Sequence, residues 1–146
     1  MKNMRLLFGL YLFSIFNGTA QEWQLNIKDA KKIAQVAHMP IILVFQGSDW
    51  CAPCIKLDQE VWRTKVFTDY AAAHFVLLKA DFPKRKKNAL SASQVKSNAI
   101  LAEQYNTNGT FPLVVVLDAF GNLLGKTSYK NIPPEAYIKE LNLFLN

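Results

Sequence analysis

Trp50-Cys51-Ala52-Pro53-Cys54 holds both cysteines of this 146-residue chain and sets them three positions apart. One turn of helix brings residues at that spacing onto one face, so the two sulfurs can bond to each other or act in turn on one target. A dithiol switch is the leading reading, and three plainer ones stand beside it. A purely structural disulfide across so short a loop would remove little freedom from the unfolded chain. A closed zinc centre needs about four Cys or His ligands, and the only histidines, His38 and His74, lie far outside the usual close pairing. The third is a pair of ordinary buried cysteines, against which the Trp before the pair and the Pro inside it both argue.

Working outward, Ile41-Ile42-Leu43-Val44-Phe45 is a continuous apolar run of high β preference, the pattern of a strand covered on both faces. Gln46-Gly47-Ser48-Asp49 forms its exit loop, and a helix is expected from Cys51 to about Trp62, with Ile55, Leu57, Val61 and Trp62 for packing. The cysteines therefore sit where a buried strand ends and a helix begins. Upstream, Asn26 can cap a helix in which Ile27, Ala30, Ile33, Ala34 and Ala37 recur at helical spacing, and Pro40 breaks it after about His38. Downstream, Val66, Phe67, Tyr70 and residues 71–73 suggest a further helical turn or two, and 75–81 reads as a second strand whose Asp81 enters a loop.

Residues 82–97 have no clear period and include Lys84-Arg85-Lys86-Lys87, a run that reads as a solvated loop or as a dock for an acidic partner. A short helix is expected over 100–105, ending near Asn108-Gly109 with Gly or Asn in the left-handed position. Phe111-Pro112 leads into the strand 113–117, where a proline at the start loses no ladder donor. Asp118-Ala119-Phe120-Gly121-Asn122 is a hairpin turn into a fourth, antiparallel strand over 123–126. Pro133-Pro134-Glu135 opens a last helix with Tyr137, Ile138, Leu141, Phe144 and Leu145 on one face.

Residues 1–20 read as a secretory signal. Lys2 and Arg5 precede the apolar run 6–16, and Gly18-Thr19-Ala20 offers small residues for cleavage before Gln21. The run is short for a span, which needs about 20 apolar residues; an uncleaved anchor is the alternative. No Cys follows it to take a lipid. The mature chain, 21–146, is then one domain in an oxidising, periplasmic or secreted setting, where a Cys pair has disulfide chemistry open to it. The charge of +6 falls to about +4 without Lys2 and Arg5, a weak cue to an anionic partner. Nucleic acid is a poor fit for an exported chain without aromatic residues among its basic ones. With 51% hydrophobic residues, one real core is available.

The order of elements, Trp50 through Cys54 at a strand-to-helix junction, Gly109-Thr110-Phe111-Pro112 before a strand and Gly121 in the last hairpin together resemble the thioredoxin family, in particular its exported bacterial members. The resemblance covers roughly 22–145. It implies an α/β, thioredoxin-like fold, a central mixed β-sheet flanked by helices on both faces, with a cis peptide at Phe111-Pro112 facing the cysteines. Cys51, at a helix N-terminus that favours an anion, is then the nucleophile and Cys54 the resolving thiol. The resemblance makes Trp50 a wall beside the sulfurs, with Pro53 starting the helix and the backbone at Phe111 and Pro112 holding an extended substrate. No cofactor is implied beyond the redox-active disulfide itself. The partners implied are protein thiols and disulfides and a membrane or periplasmic electron-transfer protein, the chain acting as a monomer and more readily as reductase than oxidant.

Three positions depart from the family pattern. Many cytosolic thioredoxins have a buried acid six positions before the first Cys, and Phe45 stands there; Ala-Pro replaces the common Gly-Pro; and Phe111 replaces the frequent Thr or Ile. Asp49 is nearer the cysteines, as an exposed loop acid. Two other functions remain open on sequence: a thioredoxin-fold binding or chaperone module whose disulfide only stabilises the site, and metal carriage by the two thiols.

Overall fold

The computed structural model describes residues 22–146, so the expected signal and its cleavage site lie outside the described residues. The chain runs α1 (Ile27–Ala37), β1 (Ile41–Gln46), α2 (Ala52–Leu57), α3 (Lys65–His74), β2 (Val76–Asp81), α4 (Ala92–Tyr105), β3 (Leu113–Leu117), β4 (Leu123–Thr127) and α5 (Pro134–Leu143). The strands form one mixed sheet in the order β2-β1-β3-β4, with β1 parallel to β2 and antiparallel to β3, and β3 antiparallel to β4. All six residues of β1 are buried, as its unbroken apolar run requires of a central strand. Gln24 extends the sheet edge, its N–H donating to Leu77 O at 2.8 Å and its carbonyl accepting from Lys79 N at 2.9 Å.

The pleat sorts the strand residues between two cores. Ile42, Val44, Leu77, Val114 and Val116 pack with Leu57, Val61, Phe67, Tyr137 and Leu141 from the α2, α3 and α5 side. Ile41, Leu43, Phe45, Val115 and Leu117 pack with Ala30, Ala34, Leu101 and Tyr105 from α1 and α4. Helices thus cover both faces. The side chain of Asn26 caps α1 by accepting from Lys28 N at 2.8 Å, and Thr64 caps α3 by accepting from Phe67 N at 3.3 Å.

The structure corrects several expectations. α2 passes directly into a wider π-helical turn over Asp58–Trp62, so the helical run 52–62 is continuous but not uniform. α3 is a full ten-residue helix rather than a turn or two. Residues 82–97 are not one loop: a 3₁₀ turn forms at Lys86–Asn88, and α4 begins at Ala92, eight residues before the expected 100. Its period is masked because Asn98 takes a buried position, donating to Asp81 O at 2.8 Å, while Val95 and Ile100 face solvent. Gly109 does have positive φ, +62°, but in the loop beyond the helix, which ends at Tyr105. Asn106 brackets that loop, its Nδ2 donating to Thr110 O and its Oδ1 accepting from Thr110 N, both at 2.9 Å.

The early start of α4 rests on its cap, Ser91 Oγ accepting from Gln94 N at 3.2 Å. Ser91→Ala is expected to lower stability by about 1 kcal/mol, read as a reduced midpoint in urea unfolding. An unchanged midpoint would mean that the cap does not hold the first turn.

Candidate active site

β1 ends at Gln46, and the next eight residues carry the site. The Gly47 carbonyl accepts from Trp50 N at 3.3 Å and Cys51 N at 2.9 Å, a tight turn that aims the chain into α2. A Cβ on Gly47 would fall 2.2 Å from Trp50 Cε2, so only glycine lets the indole lie across this turn. Cys51 is the N-terminal cap residue of α2 with extended backbone and no side-chain cap bond. Pro53, exposed in the first helical turn, needs no N–H there. Cys51 and Cys54 are disulfide-bonded, with Cα atoms 5.2 Å apart, and both are buried, Cys51 at 5% exposure and Cys54 at 3%.

Strand register brings the second wall to this place. Phe45 of β1 pairs with Leu113 of β3, so Phe111 and Pro112, just before β3, lie at the same sheet end as the 47–50 turn. The Phe111–Pro112 peptide is cis, and Ser128 Oγ donates to Pro112 O at 2.6 Å. Phe111 is half-buried and meets the Trp50 ring edge-on at 5.6 Å between centroids. Phe111 also meets Phe82 at 5.4 Å between centroids, and Trp50 Nε1 donates to Phe82 O at 2.8 Å. Phe82, which the sequence places only in the loop 82–97, completes the aromatic trio with Trp50 and Phe111; the signal available was its position directly after a strand parallel to β1.

A pocket of about 250 Å³ has Cys54 as one wall and Gln46, Ser48, Asp58, Lys79 and Asp81 among the others. Phe45 is not at this pocket. Its side chain lies on the opposite, α1 and α4 face of the sheet, so the residue six positions before Cys51 is not the one that could touch Cys54. From β1 it is the buried amide of Gln46, 9% exposed, that reaches the pocket, and β2 adds Lys79 and Asp81, the register partners of Val44 and Gln46. Asp58 there pairs with Arg63 at 2.6 Å.

Asp49 is more than an exposed loop acid. Its carboxylate accepts from Lys84 N, Arg85 N and Asn88 Nδ2, each at 2.9 Å, and so holds the basic loop against the cysteine loop. Asp81 makes the companion tie by accepting from Ser48 N at 2.9 Å and Ser48 Oγ at 2.6 Å. The Lys84 amide first, then the Asn88 side chain, with the Arg85 amide and charge adding and desolvation opposing, hold the Asp49 carboxyl at about 2, below its ordinary 3.8. Among the described residues, no group of three or more His, Cys, Asp and Glu side chains is placed to hold a metal ion, and no helix is long and apolar enough to cross a membrane. His38 caps α1, while His74 stacks on Tyr70 at 3.9 Å.

In sequence and in fold the chain is similar to known proteins. A family model described as thioredoxin-like matches residues 22–119. The chain belongs to the thioredoxin-like family. It is 32% identical over 120 residues to the disulfide bond reductase DsbH of Chlamydia pneumoniae, spanning 82% of this chain and 70% of that one. A solved structure of a DsbH oxidoreductase superposes with TM-score 0.79 at 26% identity, covering 99% of this chain and 94% of the other. A disulphide isomerase from Xylella fastidiosa Temecula1 shares the fold, at TM-score 0.61 and 22% identity, over 82% of this chain and 88% of that one.

Two outcomes test the geometry. Phe45→Ala is expected to cost about 3–5 kcal/mol in denaturant unfolding yet leave the reduction potential of the cysteine couple unchanged, since the ring packs on the far face; a shifted potential would place it in the site after all. Because the Asp49 value is depressed on folding, its contribution is present above the unfolded value near 3.8 and lost as pH falls through about 2. Carboxyl NMR titration should give that low midpoint, with the Lys84 and Arg85 amides moving in step. An ordinary midpoint would mean that the clamp does not form.

Proposed function

We propose that the protein is a thiol–disulfide oxidoreductase of the reductase type, with Cys51 as nucleophile and Cys54 as resolving thiol. The observation that carries this reading is the Cys51–Cys54 disulfide at the head of a helical run, beside Trp50 and the turn at Phe111 and Pro112. The relative named as a disulfide bond reductase supports the direction.

In the reduced protein Cys51 heads α2, whose unpaired N–H groups and dipole favour its thiolate. That thiolate attacks one sulfur of a substrate disulfide, forming a mixed disulfide and expelling the other substrate sulfur as a thiolate. Cys54, one helical turn on, loses its proton toward the polar pocket it lines, attacks Cys51 Sγ and releases the second substrate thiolate. Two electrons have passed to the substrate, and the protein is left with the Cys51–Cys54 bond, the form seen here. A dithiol partner must then restore the reduced form. The backbone beside Pro112, with Trp50, Pro53 and Phe111 around it, is the surface on which an extended substrate lies.

The compartment is outside the cytoplasm, supported by the basic start and apolar run of residues 1–20. The recharging partner is then a membrane or periplasmic dithiol protein, and the protein itself needs no cofactor beyond its cysteine pair.

Cys51→Ser is expected to abolish reduction of a model protein disulfide, and Cys54→Ser to accumulate a mixed disulfide visible on a non-reducing gel. The couple should equilibrate near the roughly −270 mV of thioredoxin rather than the roughly −120 mV of a strong oxidant. Full activity in Cys51→Ser would overturn the reading. Unchanged partner binding after both cysteines become Ser, with no mixed disulfide trapped, would point instead to a binding module.

A further inference from the structure

The loop after β2 carries four consecutive basic residues, Lys84-Arg85-Lys86-Lys87, all exposed. Their position is set by the site itself. Asp49, two residues before Cys51, binds the amides of Lys84 and Arg85, and Trp50 binds the carbonyl of Phe82. The Lys84 ammonium lies 3.9 Å from the centre of the Trp50 ring. Nearby acids are already engaged: Asp49 and Asp81 by the loop amides and Ser48, and Asp58 by Arg63. Among the described residues none of the four cations makes a direct ion pair, although the Arg85 charge also acts on Asp49. Lys56, exposed on α2 two residues beyond Cys54, adds to the same sign. The rim of the aromatic floor made by Trp50, Phe82 and Phe111 is therefore positive, and the loop that makes it so is fixed before any partner arrives.

We propose that this basic strip selects substrates, favouring polypeptide disulfides flanked by Asp and Glu. The proposal rests on the oxidoreductase reading above and deepens it. An acidic segment running past the Trp50 ring would meet Lys84 first and Arg85 to Lys87 beyond it, with Cys51 beside the indole. Because the four charges lie on solvent-exposed side chains, their pull raises the encounter rate and weakens with salt. The step itself is unchanged: the Cys51–Cys54 dithiol is oxidised to its disulfide, and the substrate cystine is reduced to two thiols.

The test uses the pre-reduced protein in single turnover with two cystine-bridged peptides that differ only in the flanks, Asp and Glu in one, Ser and Gln in the other, with released peptide thiols counted. At about 0.02 M salt the acidic peptide is expected to react on the order of tenfold faster, and at about 0.5 M salt the two should converge. Arg85→Gln/Lys86→Gln/Lys87→Gln, which keeps Lys84 on Trp50, should lose most of that preference. Lys28→Gln/Lys32→Gln/Lys139→Gln, an equal charge change on exposed positions of α1 and α5, should keep it. The salt series on the unaltered protein decides the matter even if the loop variant folds poorly. Equal rates for the two peptides at low salt overturn the strip but leave the oxidoreductase intact, whereas no reduction of either peptide overturns both. Equal peptide rates together with binding to vesicles of phosphatidylglycerol and phosphatidylcholine would make the strip a membrane-facing surface and overturn the proposal.

Discussion

The site depends on one lateral tie, the fastening of the loop after β1 to the loop after β2. β1 and β2 are parallel and end in register, Gln46 opposite Asp81. Their exits must then run side by side, and each has backbone groups that the sheet no longer satisfies. Asp81 takes the Ser48 amide and hydroxyl, Asp49 takes the Lys84 and Arg85 amides, and the Trp50 indole takes the Phe82 carbonyl. These crossed bonds settle where Trp50 points, and with it where Cys51 begins α2. A redox pair on a free loop would have no fixed partner wall; here the wall and the pair share one anchor.

The opposite wall is built by a separate device. β3 must enter the sheet antiparallel to β1, which brings its first residues to the sheet end that carries the cysteines. The buried side chain of Asn106 closes the loop ahead of them by binding both the amide and the carbonyl of Thr110. Gly109 supplies the positive φ that the loop needs. Phe111 then leaves the loop already directed at Trp50 and Phe82.

Much of this was legible because burial and sequence period agree. The run 41–45 reads naturally as a buried central strand, and the cysteine spacing with its Trp and Pro places the site at the end of it. Two of the departures share one physical cause, polar residues at positions fixed by tertiary contacts. Asn98 occupies a buried helical position because the Asp81 carbonyl needs a donor, which hid the first two turns of α4. Asp49 resembles a solvent acid until the loop whose amides it binds is seen, 35 residues away in the chain. Phe45 stands where many thioredoxins carry an acid, and the pleat of β1 turns its side chain to the α1 and α4 face of the sheet, away from Cys54. Gln46, Lys79 and Asp81, which do reach that pocket, come from two strands whose pairing no single stretch of sequence reveals.

The same tie that orders the site also decides what its charges can do. Four flexible cationic side chains on a free loop would lose conformational entropy on meeting an anion, offsetting much of the attraction. Here Asp49 and the Lys86–Asn88 turn have already ordered the backbone that bears them, and the Trp50 ring holds the first of the four. The aromatic floor alone would accept any extended apolar segment, with little to distinguish one disulfide from another. Under the selection proposed above, a fixed positive rim beside it supplies a second criterion that acts at longer range than packing does, and before the sulfurs meet. Asp49 therefore links two properties that otherwise have no reason to vary together, the geometry of the cysteine loop and the charge of the surface that a substrate first encounters.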